Sequence, residues 1–495
     1  MSSFRDSGIL TTIQFVCVLV MDTTVDTVDY VEGARGHRVV IHDGYIFHKS
    51  KTLKSGVKWT CSCRKSATCT VFIILQDDIV VKTEHAHSHP PTPGHIKARQ
   101  LKASMRKRAR EESTPMQVIY EQEKVRLLSE SSSTNSVTET AAALPQFAGI
   151  KTVLYRERRK RFPTMPTSRA EVQLEGTWTT TVMGDRFLLG EDGEGDNKII
   201  AFASDRGLKE LSNAETYYVD GTFDTAPRLF YQLITIHAFV LGVMLPLVFG
   251  LLPNKEQRTY VRFMTMVKDK AAALGYHLKP VRIMQDFELG LMNANLLVFP
   301  EVAMKGCFFH YAQCLWRKIQ NLGLAVDYKD SDVVRAWFRK VLALPFVPEQ
   351  QVAEAFASIC RSAPDVSRVS EFICYYNSTW ISGQYPMRVW NFFRYCGPRT
   401  NNHVEGYHSR LIKKAGKSHP NIFEVVALFV QEEASGLVQI IQLESGQPAP
   451  KRRRMYVDTD SRISDLGLQY MTTERSLDSY LDALGHLMGR ALITS

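Results

Sequence analysis

Cysteine is scarce in this chain. Nine occur among 495 residues, too few and too scattered for the disulfide scaffold of a small secreted protein. An acidic excess is missing too: 61 Lys and Arg face 51 Asp and Glu, a formal charge of +10 with a pI near 9.0. That balance favours a polyanionic partner, nucleic acid first. Internal repeats are absent, which excludes a solenoid. At 44% hydrophobic and 23% charged residues the composition is globular, excluding a wholly disordered or fibrous chain. The length accommodates about three domains.

Long hydrophobic runs are limited to two. Ile9 to Met21 follows Arg5 and has the length of a signal-peptide core, but Asp22-Thr23-Thr24 offers no small-residue cleavage site, and Met21 is an alternative start. A non-signal reading is preferred. Leu229 to Leu252 is long enough to span a bilayer. It carries Gln232, Thr235, His237, Pro246 and many β-branched residues, which predicts two short buried strands turning near Leu241-Gly242. No membrane partner is expected.

Composition divides the chain. Residues 1–28 form an N-terminal extension. Residues 29–91 alternate apolar and polar positions around Gly44 and Gly56, predicting a small β-rich module. Residues 92–146 begin with Lys97, Arg99, Lys102, Arg106, Lys107, Arg108 and Arg110, then run into the polar tract Ser129–Thr140. They predict a basic helix followed by a flexible linker. Residues 147–442 pass from strand-like apolar runs to amphipathic helices, predicting an α/β domain with a helical extension. Residues 443–495 form a basic tail around Lys451-Arg452-Arg453-Arg454 with a weakly helical end.

Within 29–91, Cys61, Cys63 and Cys69 precede His85, His87 and His89. Thiolates and imidazoles suit tetrahedral zinc, but six candidates compete for four positions and spacing alone does not choose. The segment resembles a FLYWCH-type zinc finger: Trp59-x-Cys61, Cys69 and the closing His87-x-His89 before proline match, as does Gly44-Tyr45-Ile46-Phe47. The resemblance implies Cys61, Cys69, His87 and His89 as the zinc ligands. Cys63 and His85 are extra potential ligands. Fingers of this type are implied to bind DNA or protein, and the run Lys97 to Arg110 would add phosphate contacts; alone, that run equally suits a solvated helix face.

Three carboxylates stand out in the central region. Asp220 ends the strand-like Thr216–Val219 run, Asp286 ends another at Val281–Gln285, and Glu405 sits in a helix opened by Asn401 or Asn402. Two aspartates on separate strands plus a helical glutamate can hold two divalent ions, magnesium or manganese. Residues from about Gly176 to Leu411 resemble a Mutator-like element (MULE) transposase of the RNase H-like, Asp-Asp-Glu superfamily. The matching pieces are Asp220-Gly221-Thr222-Phe223, Leu245-Pro246-Leu247-Val248, Asp286-Phe287-Glu288, Cys307-Phe308-Phe309-His310 and Asn401-Asn402-x-x-Glu405-Gly406. The resemblance implies a mixed sheet flanked by helices, with the first Asp on the first strand, the second after the fourth, and the Glu on a late helix. The stretch between Asp286 and Glu405 is long for a bare RNase H core, so residues 316–394 are expected as a helical insertion. Cys307 and His310 match a recurring Cys-x-x-His pair, which either assists the site or packs a strand-to-helix turn. Asp224 and Glu288 are expected as solvated turn residues.

The expected fold is therefore α/β: an RNase H-like mixed sheet with a helical insertion, preceded by the zinc module. The expected function is a DNA transposase that binds terminal repeats and target DNA, as a homo-oligomer in the nucleus, and cleaves and joins strands with Mg2+ or Mn2+ at Asp220, Asp286 and Glu405. The alternative is a non-catalytic DNA-binding regulator that keeps the fold.

Overall fold

The computed structural model describes residues 26–33, 37–112, 114–130, 134–451 and 454–488. The Ile9–Met21 run, Arg452 and Arg453 lie outside them. The chain divides into two compact units, at Pro163 and Thr164.

In the first unit, alternation between 29 and 84 produces six strands: β1 (Asp29–Glu32), β2 (Arg38–His42), β3 (Tyr45–Leu53), β4 (Gly56–Cys61), β5 (Phe72–Gln76) and β6 (Ile79–Glu84). They pair in chain order, all antiparallel. Asp43 and Gly44, both at positive φ, make the tight β2–β3 turn that Asp-Gly favours. One face buries Val40, Phe47, Trp59 and Ile73; the other sets Val31, Val39 and Ile46 against Ile96 of helix α1 (Pro93–Glu111). Pro93 opens that helix, where its missing N–H costs nothing.

Helices α2 (Met116–Ser129), α3 (Thr134–Ala143) and α4 (Phe147–Arg159) complete the unit. The basic helix is not an outlying solvated rod: it buries Leu101, Met105 and Ala109 beneath them. Gly94 lets α3 approach, since a Cβ there would stand 2.7 Å from the Glu139 backbone. Much of the tract expected as a flexible linker is thus the packed helix α3. Ile150 and Leu154 of α4 share one core with Met105, Ala109, Met116 and Ile119, so 147–159 belong with the first unit and not with the α/β domain. Apolar spacing, hidden behind the charges, decides this packing.

The second unit is mixed α/β. Its strands are β7 (Leu188–Asp192), β8 (Ile199–Phe202), β9 (Thr216–Thr222), β10 (Gln232–Val240), β11 (Val243–Leu252), β12 (Arg282–Gln285) and β13 (Ala303–Gly306). The sheet order is β13-β12-β9-β10-β11-β8-β7. β12 runs parallel to both β9 and β13; the other pairings are antiparallel. The Leu229–Leu252 run is the buried hairpin β10–β11, turning at Leu241 and Gly242 with positive φ at both. No helix among the described residues is long and apolar enough to cross a membrane.

Helices α5 (Asp205–Asn213), α6 (Gln257–Ala273), α7 (Leu289–Val298) and α8 (Phe308–Asn321) flank this sheet. The rest is mostly helical: α9 (Ala325–Asp330), α10 (Asp332–Ala343), α11 (Val352–Arg361), α12 (Val369–Tyr376) and α13 (Met387–Trp390) occupy the stretch expected as a helical insertion. Then come α14 (Asn402–Ala415), α15 (Ile422–Glu444), α16 (Arg454–Met471) and α17 (Leu477–Met488). An Asn421–Glu424 capping box starts α15, whose Phe429 stacks on Phe249 of β11 at 4.6 Å. The end of the expected tail is integral: α17 buries Tyr480, Leu481 and Leu484, and its Gly485 lies close against Arg339 of α10.

Candidate functional site

Each unit holds one chemically distinctive cluster. In the first, Cys61 ends β4, Cys69 precedes β5, and His87 and His89 follow β6. Their ligand atoms all lie within 4.8 Å of one another. Cys61 Sγ is 3.2 Å from His89 Nε2 and Cys69 Sγ is 3.4 Å from His87 Nδ1. Around a tetrahedral zinc with ordinary bond lengths such pairs sit roughly 3.6 Å apart, so two sulfurs and two nitrogens fit the ion. Tyr45 stacks face to face on His87 at 3.4 Å, which fixes the ring and accounts for the aromatic strand residue. At Cys69 burial is outweighed by the Ser88 and Val71 N–H groups and the thiol is pulled down to about 7, while burial pushes Cys61 up to about 11. Cys63 and His85 stand outside the cluster; His85 instead meets the Phe72 ring edge-on at 6.3 Å.

In the second unit, sheet register brings the aspartates together. Arg282, Ile283 and Met284 pair with Thr216, Tyr217 and Tyr218. Asp286 follows directly after β12 and Asp220 lies within the neighbouring parallel strand β9, and both line the same cavity. Burial and then the Asp220 charge push Asp286 up to about 6. Glu405 lies one turn into α14, and burial raises its carboxyl as well, with the nearby His310 opposing.

All three carboxylates line one cavity of about 720 Å³, with His310, His408, Arg317 and Lys413 on its walls. They are looser than the zinc cluster: the Cys/His set is the one group of three or more metal-capable side chains, among the described residues, whose ligand atoms all lie within 4.8 Å of each other. Each site carboxylate near a helix meets a histidine. His310 Nε2 is 3.4 Å from Glu405 Oε1, and His408 Nδ1 is 3.3 Å from Asp220 Oδ2, neither aligned as a hydrogen bond.

Cys307 and His310 part company. His310 faces the cavity. Cys307 is fully buried at the start of α8, where its sulfur accepts the Asn401 N–H at 3.1 Å. Asn401 in turn donates its Nδ2 to the Val219 carbonyl at 3.3 Å. The cysteine therefore fastens the start of α14 beside β9, which positions Glu405 relative to Asp220.

Glu288 is not a solvated turn residue. It is half-buried and accepts the Tyr260 hydroxyl at 2.8 Å, its N–H donating to Asp286 Oδ1 at 3.2 Å. Asp224 is exposed, as expected. Sequence reasoning missed the chain behind Asp220: His408 Nε2 meets Thr235 Oγ1 at 3.0 Å, and His237 Nε2 meets the same oxygen at 3.0 Å. The signal was available, since His408 stands three residues after Glu405 and so on the same helix face.

The basic run on α1 disperses. Arg108 is held by Glu112 and Glu123, and Arg110 by Glu32. Lys97 reaches the Glu130 carbonyl, Lys107 is exposed, and Arg99, Lys102 and Arg106 line a separate cavity.

Comparison with known families matches residues 30–89 to the model of the FLYWCH zinc finger domain. Residues 216–314 match the model of the MULE transposase domain. No curated protein matches the chain. The first family match contains the whole Cys/His cluster, and the second contains Asp220, Asp286, Cys307 and His310 but stops before Glu405. The chain thus joins a FLYWCH zinc finger domain to a MULE transposase domain, a combination that suggests a transposase-like, DNA-binding protein.

Proposed function

We propose that this protein is a DNA transposase of the Asp-Asp-Glu type, acting in the nucleus as a homo-oligomer on DNA, with Asp220, Asp286 and Glu405 as its catalytic residues. The observation that carries the proposal is that Asp220 on β9, Asp286 just after the parallel strand β12, and Glu405 on α14 all line one cavity. An RNase H-like fold is the reading of the sheet: three antiparallel strands followed by two parallel ones, with Asp220 on the first and Asp286 directly after the fourth.

The donor set fits hard cations, since three carboxylates without a thiolate favour magnesium or manganese. Bound there, such ions would supply an activated water and neutralise charge at phosphorus. The chain's own groups do the rest. Arg317 and Lys413 attract the phosphate backbone, and His310 and His408 orient Glu405 and Asp220. In the first step water adds across a P–O bond at a transposon end, leaving a free 3′-hydroxyl and a 5′-phosphate. In the second that hydroxyl attacks a target phosphodiester, and one P–O bond replaces another. The finger, with zinc on Cys61, Cys69, His87 and His89, binds the terminal repeats, helped by α1. Lys451 and Arg454, both exposed, belong to the run we assign to nuclear import.

Purified protein incubated with labelled end sequences, with and without manganese, tests the proposal. Metal-dependent 3′-ends that join to a second duplex are expected. Sequence-specific binding without cleavage in either metal would instead identify a non-catalytic regulator.

A further inference from the structure

The first unit contains a second feature, unrelated to its zinc ligands. A cavity of about 520 Å³ opens between the sheet and α1, within the size range of small-ligand pockets. Arg99, Lys102 and Arg106 line it. Their spacing, i, i+3 and i+7, puts all three on one face of the helix. Ser62, Ser66 and Thr92 bring hydroxyls to the same space.

Unlike Arg108 and Arg110, these three cations make no hydrogen bond to a carboxylate among the described residues, although Arg106 feels the charge of Glu32. Arg108 and Arg110 are bonded to carboxylates. Glu32 is the one carboxylate lining the cavity among the described residues, and Arg110 holds it through two hydrogen bonds of 2.7 and 3.3 Å. Lys102 and Arg106 each reach one backbone carbonyl, of Ala143 and Gly33, while Arg106 Nε is buried with no acceptor. Arg99 meets no acceptor among the described residues. Burial, then repulsion from Arg106, lowers the proton affinity of Arg99, and burial with repulsion from both arginines lowers that of Lys102. Like charges held this close destabilise a helix unless an anion joins them.

We infer that this cavity binds a phosphate group. Two guanidiniums offer forked donors, an ammonium adds a point charge, and the hydroxyls complete a shell for an oxygen-rich anion. The phosphate comes either from a nucleic-acid backbone, in which case the site deepens the DNA-binding reading above, or from a small soluble phosphate ester, in which case it stands apart from it. In both cases the site is independent of the carboxylate cleft.

The zinc-loaded full chain is titrated calorimetrically with sodium tripolyphosphate at constant ionic strength, and separately with a short DNA duplex. Saturable tripolyphosphate binding is expected, weakened at least tenfold in the Arg99→Gln, Arg106→Gln double variant and less than twofold in the control Lys209→Gln, an exposed position on α5. A tenfold loss of duplex affinity in the same double variant identifies the backbone as the source; unchanged duplex affinity identifies a small ester. Should the double variant lose its zinc or its fold, protection of Arg99 and Arg106 from phenylglyoxal in the wild-type protein, by tripolyphosphate or by duplex, locates the site without mutation. Absence of saturable tripolyphosphate binding, together with duplex affinity equal in the double variant and the control, would overturn the inference. So would arginine modification that neither ligand slows.

Discussion

Asp286 carries most of the electrostatic tension in the carboxylate cleft. Its carboxyl, raised to about 6 by burial and by Asp220, is charged at neutral pH in both folded and unfolded chains, and the folded state bears the penalty. Asp286→Asn removes that charge. Urea denaturation without added divalent cations should show the second unit stabilised at pH 7 by about 1–3 kcal/mol, since each tenfold change in proton affinity is worth roughly 1.4 kcal/mol. Between the unfolded and folded values the folded state binds more protons, so the penalty fades as pH falls through 6, and the gain with it. A gain that persisted undiminished below pH 4 would point to a different cause. His408 is a positioning residue by geometry, touching Asp220 on one side and Thr235 on the other. His408→Ala should lower metal-dependent DNA cleavage by about 10–100-fold, as loss of an outer-shell partner does. Manganese affinity should fall with it, a change that a purely structural role would not produce. Alanine at Asp220, Asp286 or Glu405 should each abolish cleavage, with a double variant no worse than a single one, because the three act as a unit.

At the scale of elements, the zinc module and the C-terminal helices make opposite demands. The module has a small core around Val40, Phe47, Trp59 and Ile73, and the ligand cluster ties Cys61 at the end of β4 to the segment after β6. Metal binding and folding are coupled in modules this small. Chelation, or Cys69→Ser, should therefore open β3 to β6 to hydrogen exchange while the second unit stays protected. Helix α17 needs no ion. Leu484 is fully buried there, and Leu484→Ala should cost about 2–5 kcal/mol in the second unit's stability. A cost below about 0.5 kcal/mol, the range of surface substitutions, would mean the helix is not docked. Legibility follows the same division. The β10–β11 hairpin could be read in advance, because strand alternation and a Leu-Gly turn are local signals, whereas spacing left six zinc candidates and the resemblance to a FLYWCH-type finger picked out Cys61, Cys69, His87 and His89. Helix α3 was hidden because a Ser- and Thr-rich tract has low intrinsic helix propensity and its order comes from packing against Gly94 of α1, while the allegiance of α4 is set by distant partners, Met105 and Ala109. The role of Cys307 was equally invisible, since its partner Asn401 lies far along the chain.

Taken as a whole, the molecule combines a basic first unit, whose Cys/His cluster fits zinc, with a second unit whose cleft gathers acidic side chains. The family matches cover both of these centres but not Glu405 or the helices that follow. The claim that most needs testing is therefore that Glu405 works with the two aspartates in one divalent-cation site. Manganese titration of the zinc-loaded protein, followed by electron paramagnetic resonance, reads this directly and requires no knowledge of the DNA sequence recognised. About two ions per chain are expected, the complement of a paired-metal phosphoryl-transfer site. Asp220→Ala, Asp286→Ala and Glu405→Ala should each lose at least one of them. Manganese binding that is absent from the wild-type protein, or that survives all three substitutions unchanged, would contradict the account.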